Sequence, residues 1–345
     1  MKILAIDIGA GTQDILLFDS EKKIENCISL VLPTPSKIFA QKLKKVEGDV
    51  YIHGDTIGGG SLSRAILHHI EKGYRVVMAE SSAYSIRNDL DEVKSMGIVV
   101  GGRPESGDFN ELEIREVDLP LLKSFLSHFG EDLEIDAIAI AVQDHGVSPK
   151  GVSDRLFRFE NMEAMLRRDN RPEAFHFTED SIPAHYLRMR SAVRAVRRSS
   201  QAPILVMDTS FSAILGCKEE AAGPSLIVNV GNGHTIAALL IEKRIGGLYE
   251  HHTHELTPKK LEEDLRLFIR GELSSRKVFE ENGHGAITLR PYEGEISVLV
   301  TGPNRDLFKG TSFKFVYAAP GGNTMMTGPM GLVRAVKYRF AHTES

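Results

Sequence analysis

The stretch Ala5-Ile-Asp-Ile-Gly-Ala-Gly-Thr-Gln-Asp14-Ile-Leu-Leu-Phe18 sets a glycine-rich turn, flanked by two carboxylates, between two apolar runs. Residues 3–8 are almost entirely apolar, the pattern of a strand buried on both faces, and 15–18 form a second such run. The spacing predicts a hairpin. Gly9 and Gly11 permit positive φ and close backbone approach, so their N–H groups and the Thr12 hydroxyl can face an anion. Asp7 and Asp14 would repel bare phosphate, and fit beside it only with a divalent cation or an ordered water between. The same residues also suit a plain tight turn with a capping Asp, because short glycine motifs recur by chance.

Outward from this hairpin, residues 2–8, 14–18 and 27–32 read as a meander, after which helix-like and strand-like segments alternate to about residue 142. That is an α/β pattern. A helix is predicted over 61–72, ending at Gly73, then a strand over 74–79, a helix over 119–129 and a buried strand over 135–142. Residues 149–203 are arginine-rich and weakly patterned, as a crossover or insertion would be. Strands are predicted again at 204–207, 212–217, 226–230 and 235–241, followed by an amphipathic helix over 258–270 and a strand over 297–301. A closing helix over 331–338 follows the turn Pro320-Gly-Gly-Asn323. The 345 residues exceed one compact core, so the expected units are 1–148, the crossover 149–203, and a second α/β unit over 204–345.

The second unit repeats the opening design. In Asn229-Val-Gly-Asn-Gly-His-Thr235 a buried strand again ends in a glycine turn, and Ile-Ala-Ala-Leu-Leu continues it as another apolar strand. Two such hairpins, one on each unit, can close on one ligand from opposite sides.

Composition excludes several function classes. A formal net charge of −5 provides no broad basic field for nucleic acid, although residues 188–198 are locally basic, so the expected partner is a small molecule or a protein. Cys27 and Cys217 are the only cysteines and lie outside any C-x-x-C pattern. They support neither a disulfide framework nor a cysteine-held zinc or iron–sulfur cluster, and a reducing cytoplasm is the expected compartment. Asp7 interrupts the early apolar run, which therefore reads as a strand and not a signal peptide. No apolar stretch is long enough to span a bilayer.

Further candidates flank the hairpins. Val142-Gln-Asp-His-Gly146 follows a buried strand, where α/β proteins place ligand-contacting residues. There Asp144 suits a general base and His145 a proton shuttle beside Gln143, though an Asp-capped turn accounts for the same residues. Glu250-His-His-Thr-His-Glu255, with His234 and Gly283-His-Gly285, concentrates imidazoles in the second half. His251, His252 and His254 could bind a transition metal, but the pattern is not H-E-x-x-H, and exposed or hydrogen-bonded histidines are the favoured reading. His234, inside the second glycine turn, is the histidine expected to be functional. Gly58-Gly-Gly60-Ser61 suits either an anion at a helix N-terminus or a plain N-cap. Asp154, Arg155 and Arg158, in Gly151-Val-Ser-Asp-Arg-Leu-Phe-Arg158, suit a grip on an anionic substrate or an interdomain salt-bridge network.

The segments 7–12 and 229–235 resemble the phosphate-1 and phosphate-2 loops of the actin/Hsp70/sugar-kinase superfamily. Pro320-Gly-Gly-Asn-Thr-Met-Met-Thr-Gly-Pro-Met-Gly-Leu332 resembles its adenosine loop, and the three occur in the superfamily's order. The resemblance implies two ribonuclease-H-like domains that clamp ATP and magnesium. Asp7, Gly9, Gly11, Thr12 and Asp14 would form the first phosphate and magnesium site, and Gly231, Asn232, Gly233, His234 and Thr235 the second. Gly321 and Gly322 would border the adenosine, with Gln143, Asp144 and His145 near the γ-phosphate or acceptor. Asn229 stands where the second loop usually carries an aspartate, so binding is implied more directly than hydrolysis.

A closer resemblance rests on Gly58-Gly-Gly60, Asn88-Asp-Leu-Asp-Glu-Val93, Val142-Gln-Asp-His-Gly146, the 151–158 segment, Met207-Asp-Thr209, Gly247-Leu-Tyr-Glu-His-His-Thr253 and Gly283-His-Gly-Ala286. Together these look like the DUF1786 family, whose members often carry the label of pyruvate formate-lyase activating enzymes. That label conflicts with the sequence, because such activases hold an iron–sulfur cluster on three closely spaced cysteines. The expected function is a protein that binds ATP and magnesium, acting as an ATPase or phosphotransferase on an unidentified acceptor. The alternatives are a non-catalytic, nucleotide-responsive regulator of another enzyme and a histidine-rich, metal-dependent hydrolase.

Overall fold

A computed structural model describes residues 1–131 and 134–340; residues 341–345, the end of the second unit expected from sequence, lie outside the described residues. The chain opens with an antiparallel meander, β1 (Lys2–Ile8), β2 (Thr12–Asp19) and β3 (Ile28–Pro33). It then leaves for a small insertion built on β4 (Asp49–Gly54), β5 (Val76–Met78), β6 (Val99–Val100) and β7 (Phe109–Ile114). These pair in parallel in the order β6-β5-β4-β7 and pack on α1 (Pro35–Leu43), α2 (Gly60–Glu71), α3 (Glu80–Ala83) and α4 (Leu90–Ser95). After α5 (Leu119–Ser127) the chain rejoins the first sheet through β8 (Ala137–Val142), parallel to β1. Residues 149–203 cross over by α6 (Asp154–Arg168), β9 (His176–Thr178) and α7 (Leu187–Arg197) to β10 (Ile204–Met207), parallel to β8. The sheet order is β3-β2-β1-β8-β10-β9.

The second sheet repeats this plan. β11 (Ser225–Val230), β12 (His234–Ile241) and β13 (Arg244–His252) form an antiparallel meander. α9 (Pro258–Ile269), α10 (Ser275–Glu280) and the edge strand β14 (Gly285–Thr288) follow. β15 (Ser297–Thr301) then lies parallel to β11, and β16 (Val316–Tyr317) parallel to β15. In each sheet three antiparallel strands adjoin two parallel ones in the spatial sequence third-second-first-fourth-fifth, which is the ribonuclease-H-like arrangement named in the sequence comparison. Each sheet adds one edge strand to that plan.

Two helices between the sheets, α8 (Thr209–Cys217) and α11 (Thr327–Phe340), join the units. Alternation along β1 sends Leu4, Ile6 and Ile8 to a core under α5 and α7, and Ile3 and Ala5 to a second core under α8 and α11. That second core continues into Ile227, Ile236 and Ala238 of the other sheet, so one apolar core spans both units. Alanines 137, 139 and 141 on β8 leave room for α11 to approach. The helices themselves cross at glycines. A Cβ on Gly216 would lie 1.8 Å from the Thr327 carbonyl oxygen, and one on Gly331 would lie 1.8 Å from that of Ser212.

Two sequence expectations change here. Residues 212–217 are helical, capped by Asp208, whose Oδ1 accepts from the Ser210 N–H at 2.9 Å. Every residue over 210–217 is buried, so the segment lacks the polar face that would reveal a helical period. The strand at 204–207 pairs with β8, so the second sheet begins at Ser225, not at residue 204. Among the described residues no helix is long and apolar enough to cross a membrane.

Candidate functional site

Both glycine turns end their strands in the same way. The Gly9 N–H donates to the Thr12 carbonyl at 3.0 Å, and the Gly231 N–H donates to the His234 carbonyl at 2.9 Å. The two turns meet across a cleft of about 570 Å³, and a Cβ on Gly11 would lie 2.4 Å from Asn232 Nδ2. Lys37 anchors the first turn by donating from Nζ to the Gly11 carbonyl at 2.7 Å.

Superposing the turns by their hydrogen bonds equates His234 with Thr12 and Asn229 with Asp7. Thr235, expected at the site, therefore faces away. Its hydroxyl bonds Thr253 Oγ1 at 3.0 Å, and Thr253 in turn donates to the Gly231 carbonyl, so Thr235 braces the turn from behind. The acids are confined to the first hairpin. Asp7 and Asp14 are opposite each other in the β1–β2 register, whereas their counterparts in β11–β12 are Asn229 and Ile236.

Asp7 and Asp14 line the cleft, yet the Oδ1 atom of each is buried without a hydrogen-bond partner. Burial pushes the Asp7 carboxyl well above the usual range, and Asp14 and Asp208 add repulsion. Burial raises Asp14 to about 6 despite its hydrogen bond with Thr12. The first turn of α11 presses on this pair, and a Cβ on Gly328 would lie 1.8 Å from Asp7 Oδ2. Only glycine leaves that carboxylate its place.

The strand-end segment divides its roles. Gln143 lines the cleft, and its Nε2 lies 2.5 Å from His234 Nδ1, a direct tie between the units. Asp144 lines the cleft, and its Oδ1 accepts from the Gly146 N–H at 2.9 Å and its Oδ2 from the Met189 N–H at 3.0 Å. With each oxygen bonded to backbone, it holds the turn and the start of α7, as the Asp-capped turn weighed in the sequence would. His145 turns into the cleft toward His234 and His284.

The arginines of α6 tie the crossover to the second unit. Arg158 is 2 % exposed; its Nε lies 3.0 Å from both Glu250 oxygens, and Nη1 and Nη2 donate to Asp208 at 2.8 and 3.1 Å. A buried guanidinium demands such fixed anions. Burial pushes Asp208 and Glu250 up, but Arg158 outweighs it and holds both below their ordinary range. Arg155 donates to the carbonyls of Phe279 and Gly283 and lies over the Phe279 ring. Asp154 lines the cleft and accepts from Ser148 Oγ at 2.7 Å.

The loop expected to border an adenosine divides: Gly321 packs against Ile24, and neither it nor Gly322 lines the cleft, whereas Thr324, Met325 and Thr327 do. The turn after β15 lines the cleft beside them. Gly302 has φ +96°, and a Cβ there would lie 2.6 Å from Asn229 Oδ1, so both conformation and proximity require glycine. Pro303, Arg305 and Met325 extend this wall. The sequence reading also missed Arg188, which lines the cleft beside Gly58, binds Glu116 at 2.6 Å and donates to the Gln143 carbonyl. Its only sequence signal was a place in a basic stretch.

His251, His252 and His254 do not form one ligand set. Alternation along β13 puts Glu250 and His252 on one face and His251 on the other, where it stacks with Tyr249, while His254 is exposed on a 3₁₀ turn.

Two ribonuclease-H-like sheets joined by crossed helices, with paired glycine hairpins facing each other across the cleft between them, define the actin/Hsp70/sugar-kinase class of fold. Residues 57–307 match the family model described as "Putative pyruvate format-lyase activating enzyme (DUF1786)", and the chain belongs to that family. No curated protein matches the chain. Solved structures similar to it include the ethanolamine utilization protein EutJ from Carboxydothermus hydrogenoformans, 10% identical, with 96% of this chain and 89% of that one covered and a TM-score of 0.37. An inorganic polyphosphate/ATP-glucomannokinase from Arthrobacter sp. strain KM is 12% identical over 98% of this chain and 99% of its own, with a TM-score of 0.37. The activator of the 2-hydroxyisocaproyl-CoA dehydratase from Clostridium difficile is 9% identical over 100% and 98%, with a TM-score of 0.38. At these scores the assignment of the fold rests on the strand order and register.

Proposed function

We propose that the cleft binds a nucleoside triphosphate together with magnesium, with the phosphates held between the two glycine hairpins. The observation that carries this reading is the asymmetry of two otherwise equivalent turns. Both line the cleft where the units meet, and only the first adds two carboxylates whose Oδ1 atoms are buried without partners. A hard, oxygen-preferring cation suits that pair, since it would replace the solvation that burial removed. Asp7 and Asp14 would hold it, and when bound it would neutralise phosphate charge. Arg188 supplies a fixed positive charge at the cleft wall, and Gly302, Pro303 and Arg305 provide the wall that could border the nucleoside.

A second reading, a nucleotide-responsive regulator with little turnover, is favoured by Asp144. Phosphoryl transfer depends on positioning and on a group that orients or deprotonates the nucleophile, and the strand-end acid is sealed by two N–H donors. Radical activation through an iron–sulfur cluster does not fit this chain. Its two cysteines are both buried, Cys27 against Asp19 and Cys217 in the core between the sheets.

Calorimetric titration of ATP with magnesium into the wild type and Asp7→Ala tests the binding claim. Saturable binding that weakens at least about tenfold in the variant supports it, since a lost charge-assisted contact is worth roughly 1.5–3 kcal/mol. Absence of saturable binding, or equal binding by both proteins, refutes it. Phosphate release measured on the same samples separates an enzyme from a regulator.

A further inference from the structure

We propose that His145, His234 and His284 form a binding site for a divalent transition-metal ion of the zinc type, open on the cleft side. The three come from separate places: the end of β8 in the first unit, the start of β12, and the turn between α10 and β14. One ligand-capable atom from each lies within 4.8 Å of the others. Ring centroids are 5.3 Å apart for His145 and His234, 5.8 Å for His145 and His284, and 4.8 Å for His234 and His284. Small rotations of the rings would bring these nitrogens to a common ion.

Nitrogens on two of the three rings have no partner. His234 Nε2 and both ring nitrogens of His284 are buried without a hydrogen-bond partner, and His284 is 0 % exposed. A buried imidazole nitrogen without a partner carries a desolvation penalty of about 1–3 kcal/mol, and an ion would remove it at His234 Nε2 and at one nitrogen of His284. Burial and the neighbouring Arg158 charge lower all three imidazoles, so the rings are neutral, the form that ligates metal.

The surroundings suit a cation. Arg158 is matched by two ionised carboxylates, Asp208 and Glu250, so that buried group carries one net negative charge. Arg155 offsets it from the far side, where its guanidinium is engaged by carbonyls. His252 packs on His234 and His284 at 4.9 and 4.7 Å between centroids, and its Nδ1 lies 2.7 Å from the Asn282 carbonyl. Gln143 supplies the orienting contact. As placed, Gln143 Nε2 faces His234 Nδ1; a half-turn of the amide, which exchanges its O and N, would set the oxygen on Nδ1–H and free Nε2 for the ion, the arrangement outer-shell partners of ligating histidines commonly make. Three imidazoles leave a position vacant, and His145 and His234 both line the cleft, so that position faces it. A water or an anionic group in the cleft would fill it.

This inference does not depend on nucleotide binding, and its test contains none. The untagged full chain is stripped with a chelator and titrated with cobalt(II), whose visible absorption reports a low-coordinate nitrogen site, and zinc uptake is measured by elemental analysis. The expected result is one ion per chain. His284→Ala and His145→Ala should weaken binding by more than the roughly 10–100-fold typical of an outer-shell change, and Gln143→Ala by an amount within that range. His254→Ala should leave the cobalt spectrum unchanged. Because His145 lines the cleft, its variant tests the site even if His284→Ala unfolds. Substoichiometric uptake lost on dialysis overturns the proposal, as does uptake that survives His145→Ala or a cobalt spectrum that changes in His254→Ala.

Discussion

Asp14→Asn should stabilise the ligand-free protein while weakening what the cleft binds. The Asp14 carboxyl is displaced from its ordinary 3.8 to about 6 by burial. At 1.36 kcal/mol for each pH unit, that displacement means the ionised form costs the fold about 3 kcal/mol at pH 7.5. Partial access to the cleft reduces this, so about 1.5–3 kcal/mol is the working range. The sign follows from the direction of the shift. A carboxyl whose pKa is raised on folding holds its proton longer in the native state, so its penalty is absent below about pH 4, grows through the interval up to 6, and is complete above it. Asparagine never ionises and escapes the penalty. For a chain of this length the unfolding entropy is on the order of 0.7 kcal/mol per kelvin, so the gain corresponds to roughly 2–4 °C in Tm. Differential scanning fluorimetry in chelator at pH 7.5 and pH 5 should show that gain at the higher pH and about half of it at the lower. With magnesium and nucleotide present the order should reverse, because only the wild type offers both oxygen ligands. A destabilised variant in chelator, or a gain equal at both pH values, would refute the claim that this carboxylate is held at a cost.

Other substitutions test the supporting structure. Gly328→Ala places a Cβ where Asp7 Oδ2 lies and should reduce nucleotide affinity at least about tenfold; calorimetry would show it, and unchanged affinity would remove Asp7 from the site. Arg158→Ala strands Asp208 and Glu250 as uncompensated buried charges and should cost about 3–5 kcal/mol, visible as a Tm lower by roughly 4–7 °C. The loss should shrink toward acid pH, since carboxylates held low by Arg158 give stability that is present at neutral pH and lost as they protonate. Gly331→Ala drives a methyl into the Ser212 carbonyl at the crossing of α8 and α11; overpacking of about 1–3 kcal/mol should appear as a lowered denaturant midpoint.

The hairpins were legible in the sequence because a glycine turn between two apolar runs has few alternative structures, and because the motif occurs twice. The helix α8 was not. Buried on every side, its apolar residues carry neither a period of two nor one of 3.6. Asp144 illustrates a different limit: a carboxylate that caps a turn and one that takes a proton have the same neighbours in sequence, and only the Gly146 and Met189 N–H groups distinguish them. Arg158 was ambiguous for the same reason until Glu250 was brought beside it, and Arg155 until the Phe279 and Gly283 carbonyls were. The histidines divide by geometry alone. Adjacent His251 and His252 separate through strand alternation, whereas His145 and His284, distant in sequence, converge on His234.

The central claim is that the two hairpins hold a triphosphate between them, with its cation on the first. A crystal structure of the chain grown with a non-hydrolysable ATP analogue and manganese, collected for anomalous scattering, tests it most directly. The account predicts phosphate oxygens within hydrogen-bond reach of N–H groups in both turns, and an anomalous peak between Asp7 and Asp14. A nucleotide bound away from the cleft, or a peak at the histidines with none at the carboxylate pair, would contradict it.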